Sequence, residues 1–569
     1  MIEGLLSVST RHQRITLTYD ELDRKSNALA RGLHSIGVKK GDRVSVSLGN
    51  NIEFAIATYA IFKLGAILNP LNPSFNANQV VSALNHLGTS HLIIGTETHL
   101  IRKDPRNNSE ILKHIAPGIG GKKLESELCP SLEEIVLVDN SHGRVDAGSL
   151  GATVPFQAIQ EGQSAQSISY EDLHKDDVVN IQFTSGTTSA PKAACLSHRS
   201  ILNNGAQIGA RMLLTPEDVI VCPPPLFHCF GCILGYMATA THGAQIVFPT
   251  ETFDPTASLQ AVQEYKGTGL YGVATMFLAE LELIANKTIP NEGFQHLRTG
   301  IAAGSSVPQE LMKRLHKVLN LTELTICYGM TETSPVSCMT RTDDPLQKRI
   351  ETVGQLQPHV EAKVVDPFDH SRTLNVGEKG EFAVSGYLLM KEYYNNPKKT
   401  DEAMISLPSL SGENETFMLT GDEAVMDEQG YVAITGRIKD LIIRGGENIH
   451  PLEIENCLLG HEGVREVSVV GLKDEKYGEV VAAFVVRNRN SEGERLSAKG
   501  VRDYVRERLS GHLGSVMCLL HSELMNVLQT VPKFVFWTED YPKTASGKIQ
   551  KFKLQEEGEG LVKEGKGLE

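Results

Sequence analysis

Five hydroxyl side chains, one glycine and a closing lysine stand together in Thr184-Ser185-Gly186-Thr187-Thr188-Ser189-Ala190-Pro191-Lys192, directly after an apolar run at 178–183. Such a loop turns backbone N–H groups and hydroxyls toward an anion, and Lys192 adds a positive charge, so phosphate is the ligand it suits. It is not a Walker loop: Pro191 stands where that motif needs its second glycine, and Ala193 follows the lysine instead of Ser or Thr. Alone, the loop also fits a polar surface turn. Tyr328-Gly329-Met330-Thr331-Glu332-Thr333 pairs an aromatic face, which suits a purine, with a carboxylate, which suits a hard cation such as Mg²⁺. Near the C-terminus, Lys548 follows Ser546-Gly547 and by itself reads as a solvated lysine. His228 lies beside Cys229, with Cys232 at a metal-type spacing, but a zinc site needs about four ligands and no second cysteine pair matches.

Taken in chain order, these segments resemble the motifs of the adenylate-forming superfamily, which contains acyl-CoA synthetases, adenylation domains and beetle luciferases. The first matches T-S-G-T-T-G-x-P-K-G except at Ser189 and Ala193, small replacements that stiffen a loop built around glycine. The second matches Y-G-x-T-E. The resemblance implies that Tyr328, with Gly329, stacks on adenine, that Thr331 contacts phosphate and that Glu332 holds Mg²⁺. Ala303-Gly304-Ser305-Ser306 looks like the stretch lining the other face of the adenine. Thr420-Gly421-Asp422 is similar to the turn whose aspartate accepts from the ribose hydroxyls. In Gly436-Arg437-Ile438-Lys439-Asp440, Arg437 corresponds to the arginine at the ribose or phosphate and Lys439 to the hinge. Gly445 and Gly446 match a loop bordering the pantetheine tunnel. Pro542-Lys543-Thr544-Ala545-Ser546-Gly547-Lys548-Ile549 resembles P-x-T-x-x-G-K-I, which makes Lys548 the catalytic lysine.

The chemistry so implied is ATP-dependent acyl-CoA synthesis through an acyl-adenylate, with ATP and Mg²⁺ as cofactors and coenzyme A as co-substrate. A carboxylate is a poor electrophile; transfer to AMP supplies a leaving group that a thiol can displace. Attack of one anion on another crowds negative charge, and a point cation on the α-phosphate stabilises that crowding most in the transition state. The two half-reactions need different surroundings. The resemblance assigns the change to a swing of the small domain about Lys439. His228, in Pro223–Gly231, is expected to gate or orient the acid. Phe230, Val273, Met276 and Met330 make an apolar pocket, with 272–277 as further wall. No aspartate stands where amino-acid-specific relatives hold an α-amine, so a medium-chain, branched or hydroxylated acid is expected, a mevalonyl-type group among the candidates. The alternatives are a stand-alone adenylating enzyme that loads a carrier protein and a catalytically impaired nucleotide-binding paralogue.

The elements that must position these residues read as α/β. Apolar residues at helical spacing predict a helix over 19–36 capped by Thr18, and short β-branched runs predict strands at 43–48, 91–94, 135–138, 178–183, 219–222 and 244–248. Residues 103–169, rich in Pro, Gly and Ser, read as a surface excursion. The 569-residue length exceeds one core. The texture predicts a large multi-sheet N-terminal domain at 1–437 and a smaller, mobile α+β domain at 438–569. Two strands at 464–470 and 480–486 and a helix at 498–509 belong to the latter.

A net charge of −14 and the lack of a long basic run argue against nucleic acid as partner. Nine scattered cysteines argue against a disulfide framework. The longest apolar stretch, 54–68, is broken by Lys63 and is too short to span a bilayer. An intracellular enzyme is expected, cytoplasmic by default, with peroxisome or mitochondrion as alternatives because the N-terminus reads as shortened. Oligomeric state is not legible. Relative to the family, apolar residues 515–530 are extra: a retained intron or mis-predicted exon boundary, or a genuine insert that forms a short helix or weakens the small domain.

Overall fold

The structure is a computed structural model. It describes residues 6–101, 103–167, 172–184, 192–303, 307, 309–510, 529–543 and 549–568.

Two mainly parallel sheets form the frame of the larger part. The seven-stranded sheet runs Ala193–Ser197, Val178–Phe183, Ile67–Pro70, Arg43–Ser47, His91–Gly95, Glu134–Val138 and Val154–Pro155, and only the pair at its Ala193–Ser197 edge is antiparallel. The nine-stranded sheet has Glu323–Gly329, Thr299–Ala302, Gly269–Gly272, Val219–Val221 and Gln245–Phe248 as its parallel centre. Such strands are buried on both faces, which fits the apolar runs at 135–138, 219–221 and 246–248. Helix Tyr19–Ser35 starts where expected: Thr18 and Glu21 form a reciprocal capping box, and Leu22, Leu29 and Leu33 are buried.

Residues 103–169 are not a surface excursion. Ser109–Ile115 is a helix that buries Ile111, Leu112 and Ile115 in one core with Cys129, Leu132 and Ile135, and Glu134–Val138 is an interior strand. Pro and Gly mark the turns here, whereas the apolar residues between them close a core.

An antiparallel sheet follows, with Asn414–Met426 paired to Gly380–Gly386, Met404–Pro408 and Val432–Arg437. From Ile442 onward a separate sheet forms: Val464–Asp474 pairs antiparallel with Gly478–Arg487, and Phe534–Trp537 joins in parallel. Helix Ala498–Ser510 packs beside it. Its two cores draw only on residues from 442 onward, while the other five cores end at Ile434. Most of the extra segment, 511–528, lies outside the described residues.

Candidate active site

The proposed phosphate loop leaves the C-terminal end of strand Val178–Phe183, the end of a parallel strand where open α/β sheets bind ligands. The Thr184 N–H donates to the Lys192 carbonyl at 2.8 Å and closes the base of the loop. Ser185, Gly186, Thr187, Thr188, Ser189, Ala190 and Pro191 lie outside the described residues. At the described rim the Thr184 hydroxyl is buried and has no hydrogen-bond partner, as a group waiting for a ligand would be. Ala193 stands in regular antiparallel pairing opposite Phe183 and is not among the residues with left-handed backbone, so it does not need glycine's freedom. The stiffening expected at this position does not arise.

Lys192 is half-buried and donates from Nζ to Tyr393 Oη at 2.8 Å. Burial lowers its pKa below the ordinary lysine value, while Glu332 opposes that shift. Tyr393 Oη in turn donates to Glu332 Oε1 at 2.7 Å. Tyr393 and Glu332 are 1% and 5% exposed, so a buried phenol and carboxylate are linked in one chain to the half-buried ammonium.

Glu332 sits in a single 3₁₀ turn, Thr331–Thr333, just past strand Glu323–Gly329. The turn is pinned at Gly329, where an added Cβ would lie 1.7 Å from the Pro335 carbonyl oxygen; only glycine fits. Thr333 Oγ1 donates to the Pro335 carbonyl at 2.8 Å and ties the turn to the next strand.

Tyr328, the last side chain before that glycine, donates from Oη to Asp422 Oδ2 at 2.6 Å, and its ring meets Phe382 edge-on at 5.9 Å. Asp422 Oδ1 receives Arg437 Nε at 3.0 Å. Asp422 and Arg437 are register partners on adjacent antiparallel strands, so the sheet itself sets their pairing. Gly421, at φ +72°, lets the chain turn into Asp422 while its N–H donates to Glu381 Oε1. Lys439 follows in the short turn Ile438–Asp440.

His228 is partly buried in the segment after strand Val219–Val221, and its Nδ1 accepts from the Phe230 N–H at 3.2 Å. Cys229 Sγ lies 4.0 Å from Thr331 Oγ1, so the segment abuts the Thr331–Glu332 turn. Asn50 anchors it by donating to the Pro224 carbonyl and accepting from the Leu226 N–H. A π-helix follows over Phe230–Met237, a wide form found often at functional sites. Cys232 Sγ accepts from Gln182 Nε2 at 3.0 Å, and among the described residues no group of three or more His, Cys, Asp or Glu stands close enough to hold a metal ion. Phe230 stacks on Tyr271 at 6.1 Å. Val273, Met276 and Met330 are partly buried. Phe277, expected in the wall, is wholly buried in a different core with Leu270 and Leu281.

Gly445 and Gly446, at φ +61° and +91°, are the two central residues of the hairpin joining Ile442–Arg444 to Glu447–Ile449. That turn needs positive φ at both positions. Gly304, Ser305, Ser306 and Lys548 lie outside the described residues. The loop bearing Lys548 is rooted at both ends, because Lys543 and Ile549 pair across its base and the Gln550 N–H donates to the Pro542 carbonyl at 2.8 Å.

Sequence reasoning named Lys192 and Glu332 but did not single out Tyr393, Gln182 or Asn50, which the structure places in contact with these segments. Each acts through a contact distant in sequence, and none stands in a pattern of its own.

A family model described as AMP-binding enzyme matches residues 6–394, and one described as AMP-binding enzyme C-terminal domain matches residues 453–548. The chain is 41% identical over 542 residues to a protein of Aspergillus fumigatus named acyl-CoA ligase sidI, covering 95% of this chain and 86% of that one. It is 34% identical over 560 residues to a Bos taurus protein named medium-chain acyl-CoA ligase ACSF2, mitochondrial, covering 96% and 84%. Among solved structures, ATP-bound MatB from Rhodopseudomonas palustris superposes with a TM-score of 0.79 at 25% identity, over 99% of this chain and 97% of that one.

Proposed function

From the premise that the chain belongs to the AMP-binding enzyme family, we propose that it is an ATP-dependent acid–thiol ligase that converts a carboxylic acid first to an acyl-adenylate and then to an acyl-CoA. The observation that carries this reading is the meeting of Lys192 and Glu332 at one buried phenol, beside a loop whose rim hydroxyl is unpaired. A half-buried cation and a buried carboxylate brought to one phenol, both still able to take a ligand, suit a polyphosphate and its counter-cation.

In the first half-reaction a carboxylate oxygen of the acid bonds to the α-phosphorus of ATP, and the bond to the pyrophosphate oxygen breaks. Lys192 and the hydroxyls of the loop receive phosphate oxygens. Tyr328 offers its ring to the adenine, and Asp422 accepts from the ribose hydroxyls, with Arg437 holding that carboxylate in place. Glu332 would hold Mg²⁺: its buried carboxylate is an oxygen donor of the kind that cation takes. When bound, Mg²⁺ supplies charge neutralisation on the phosphates. Lys548 would reach the α-phosphate in this step only. In the second half-reaction the CoA sulfur bonds to the acyl carbon and AMP leaves, with the turn at Gly445 and Gly446 bordering the pantetheine. Lys439 is the pivot between the two arrangements, and the division of the chain falls at 437/438.

The acid is apolar and of medium length, branched or hydroxylated. The apolar, partly buried side chains Val273, Met276 and Met330 support this. ATP and CoA as co-substrates favour an intracellular compartment, the cytoplasm, mitochondrion or peroxisome. Among the described residues no helix is long and apolar enough to cross a membrane. The test is AMP formation with ATP, CoA and a panel of acids from short to long, including hydroxylated and branched ones. Medium-length acids should give AMP and thioester in equal amounts. AMP release with a holo-carrier protein but none with CoA would replace the ligase reading by the carrier-loading one.

A further inference from the structure

Among the described residues, Tyr393 is the one side chain hydrogen-bonded to both charged partners of the proposed phosphate site. A phenol can accept and donate at the same oxygen, and here it does both, accepting from the Lys192 ammonium and donating to the Glu332 carboxylate. Among the described residues no ion pair within 4.0 Å joins Lys192 to Glu332 directly. Without the phenol, a half-buried ammonium and a buried carboxylate that share one contact would close on one another. Each would then have to be pulled from its partner before binding a phosphate or a cation, and opening a buried pair is unfavourable.

The backbone delivers Tyr393 to that point by stitching one short segment to both partners. The Met390 N–H donates to the Glu332 carbonyl at 2.8 Å. The Lys391 N–H donates to the Cys195 carbonyl, and the Tyr394 N–H to the Ala193 carbonyl, on the strand that directly follows Lys192. The Tyr393 N–H is held by Thr400 Oγ1 at 3.0 Å. The Lys192 ammonium also lies 4.2 Å from the centre of the Tyr393 ring, a cation–π contact that steadies it without neutralising it.

We propose that Tyr393 is a positioning residue: a spacer that holds Lys192 and Glu332 apart and oriented to receive the pyrophosphate end of cation-bound ATP. The inference rests on the ligase reading above and adds to it the group that prepares the site. It predicts a phenotype confined to the β and γ phosphates and their cation. The adenosine end of the site is built from Tyr328, Asp422 and Arg437 and makes no hydrogen bond to Tyr393.

The test is Tyr393→Phe, which keeps the buried ring and removes one oxygen. Titration calorimetry is run with AMP, with ATP alone and with ATP plus Mg²⁺. AMP affinity should match the wild type, while the gain in ATP affinity brought by Mg²⁺ should shrink ~10–100-fold, the scale of a hydrogen bond to charged groups. Adenylation should slow with it, and thioester formation from preformed acyl-AMP should not change. In a Glu332→Gln background the same tyrosine change should have much less effect on ATP–Mg²⁺ affinity, because the two act as one unit. Wild-type affinity for ATP–Mg²⁺ in Tyr393→Phe overturns the proposal. So does an equal loss for AMP and ATP–Mg²⁺, or full additivity with Glu332→Gln. A wild-type protein that binds ATP–Mg²⁺ but makes no acyl-CoA from any acid overturns the ligase reading instead, and the binding comparison still decides on Tyr393.

Discussion

Two buried carboxylates, Glu332 and Glu280, show how surroundings decide what a residue does. Glu332 has Tyr393 as a partner and Lys192 just beyond it. Glu280, on the buried face of helix Ala274–Ala285, is 0% exposed, and among the described residues neither of its oxygens has a hydrogen-bond partner. Burial pushes its carboxyl well above the ordinary value, so the folded chain keeps its proton. The unfolded chain releases that proton once pH passes the usual carboxylate range, so above it the unfolded state binds fewer protons and stability falls as pH rises toward the folded value. Glu280→Leu should therefore raise stability by ~1–3 kcal/mol near neutral pH. The gain should be larger at about pH 8 than at about pH 5, as read from urea midpoints. An equal gain at both would mean the carboxyl is ionised in the fold. At the other charged residue of interest, Lys548→Ala should slow adenylate formation by ~10²–10³. Thioester formation from preformed acyl-AMP should persist; equal loss in both half-reactions would remove the proposal that this lysine serves only the first.

At the scale of elements, strand ends and tight turns aim the site. Strand Glu323–Gly329 ends by presenting Tyr328 to Asp422 and Glu332 to Tyr393 from either side of Gly329, whose Cα hydrogen faces the Pro335 carbonyl. Gly329→Ala should destabilise the fold by ~1–3 kcal/mol through overpacking, and it should weaken both AMP and ATP binding because both side chains move. Gly421→Ala makes the contrast. An added methyl there meets nothing within 4 Å, and its cost is only the strain of φ +72°, ~1–2 kcal/mol. Thermal melts together with AMP titrations separate the two: the first variant should lose affinity out of proportion to stability.

Over the whole molecule, the separation of the cores at 434 and 442 leaves a short connection that contains Lys439. The parts touch through side chains such as His450 and Glu423, whose ring nitrogen and carboxylate lie 3.4 Å apart. Separate cores joined by a short link favour rigid-body rotation over internal rearrangement. Lys439→Pro, which restricts the link, should leave one half-reaction near wild type and slow the other. Rapid-quench measurement of acyl-AMP and acyl-CoA formation checks this, and equal slowing of both would count against a pivot at this residue.

Short-range information was written in the chain itself. The hydroxyl-rich loop after an apolar strand, the aromatic–Thr–Glu segment, the capped first helix and the change of texture near 436 all follow from neighbouring residues and backbone periodicity; these suffice for the α/β class, while the reaction class came from the resemblance of the motifs, taken in order, to the adenylate-forming superfamily. Residues 103–169 could not be read this way, because Pro and Gly report where a chain turns and not whether the segments between turns are buried. Nor could the place of Phe277, which depends on the side of the sheet its helix covers. Tyr393 is the sharpest case: it lies 201 residues from Lys192 and 61 from Glu332, and only the packing of one segment against a strand and a turn brings a phenol between them. Local sequence chooses which groups are present, but the distance between a cation and a carboxylate, and what stands in the gap, is a property of the packed chain.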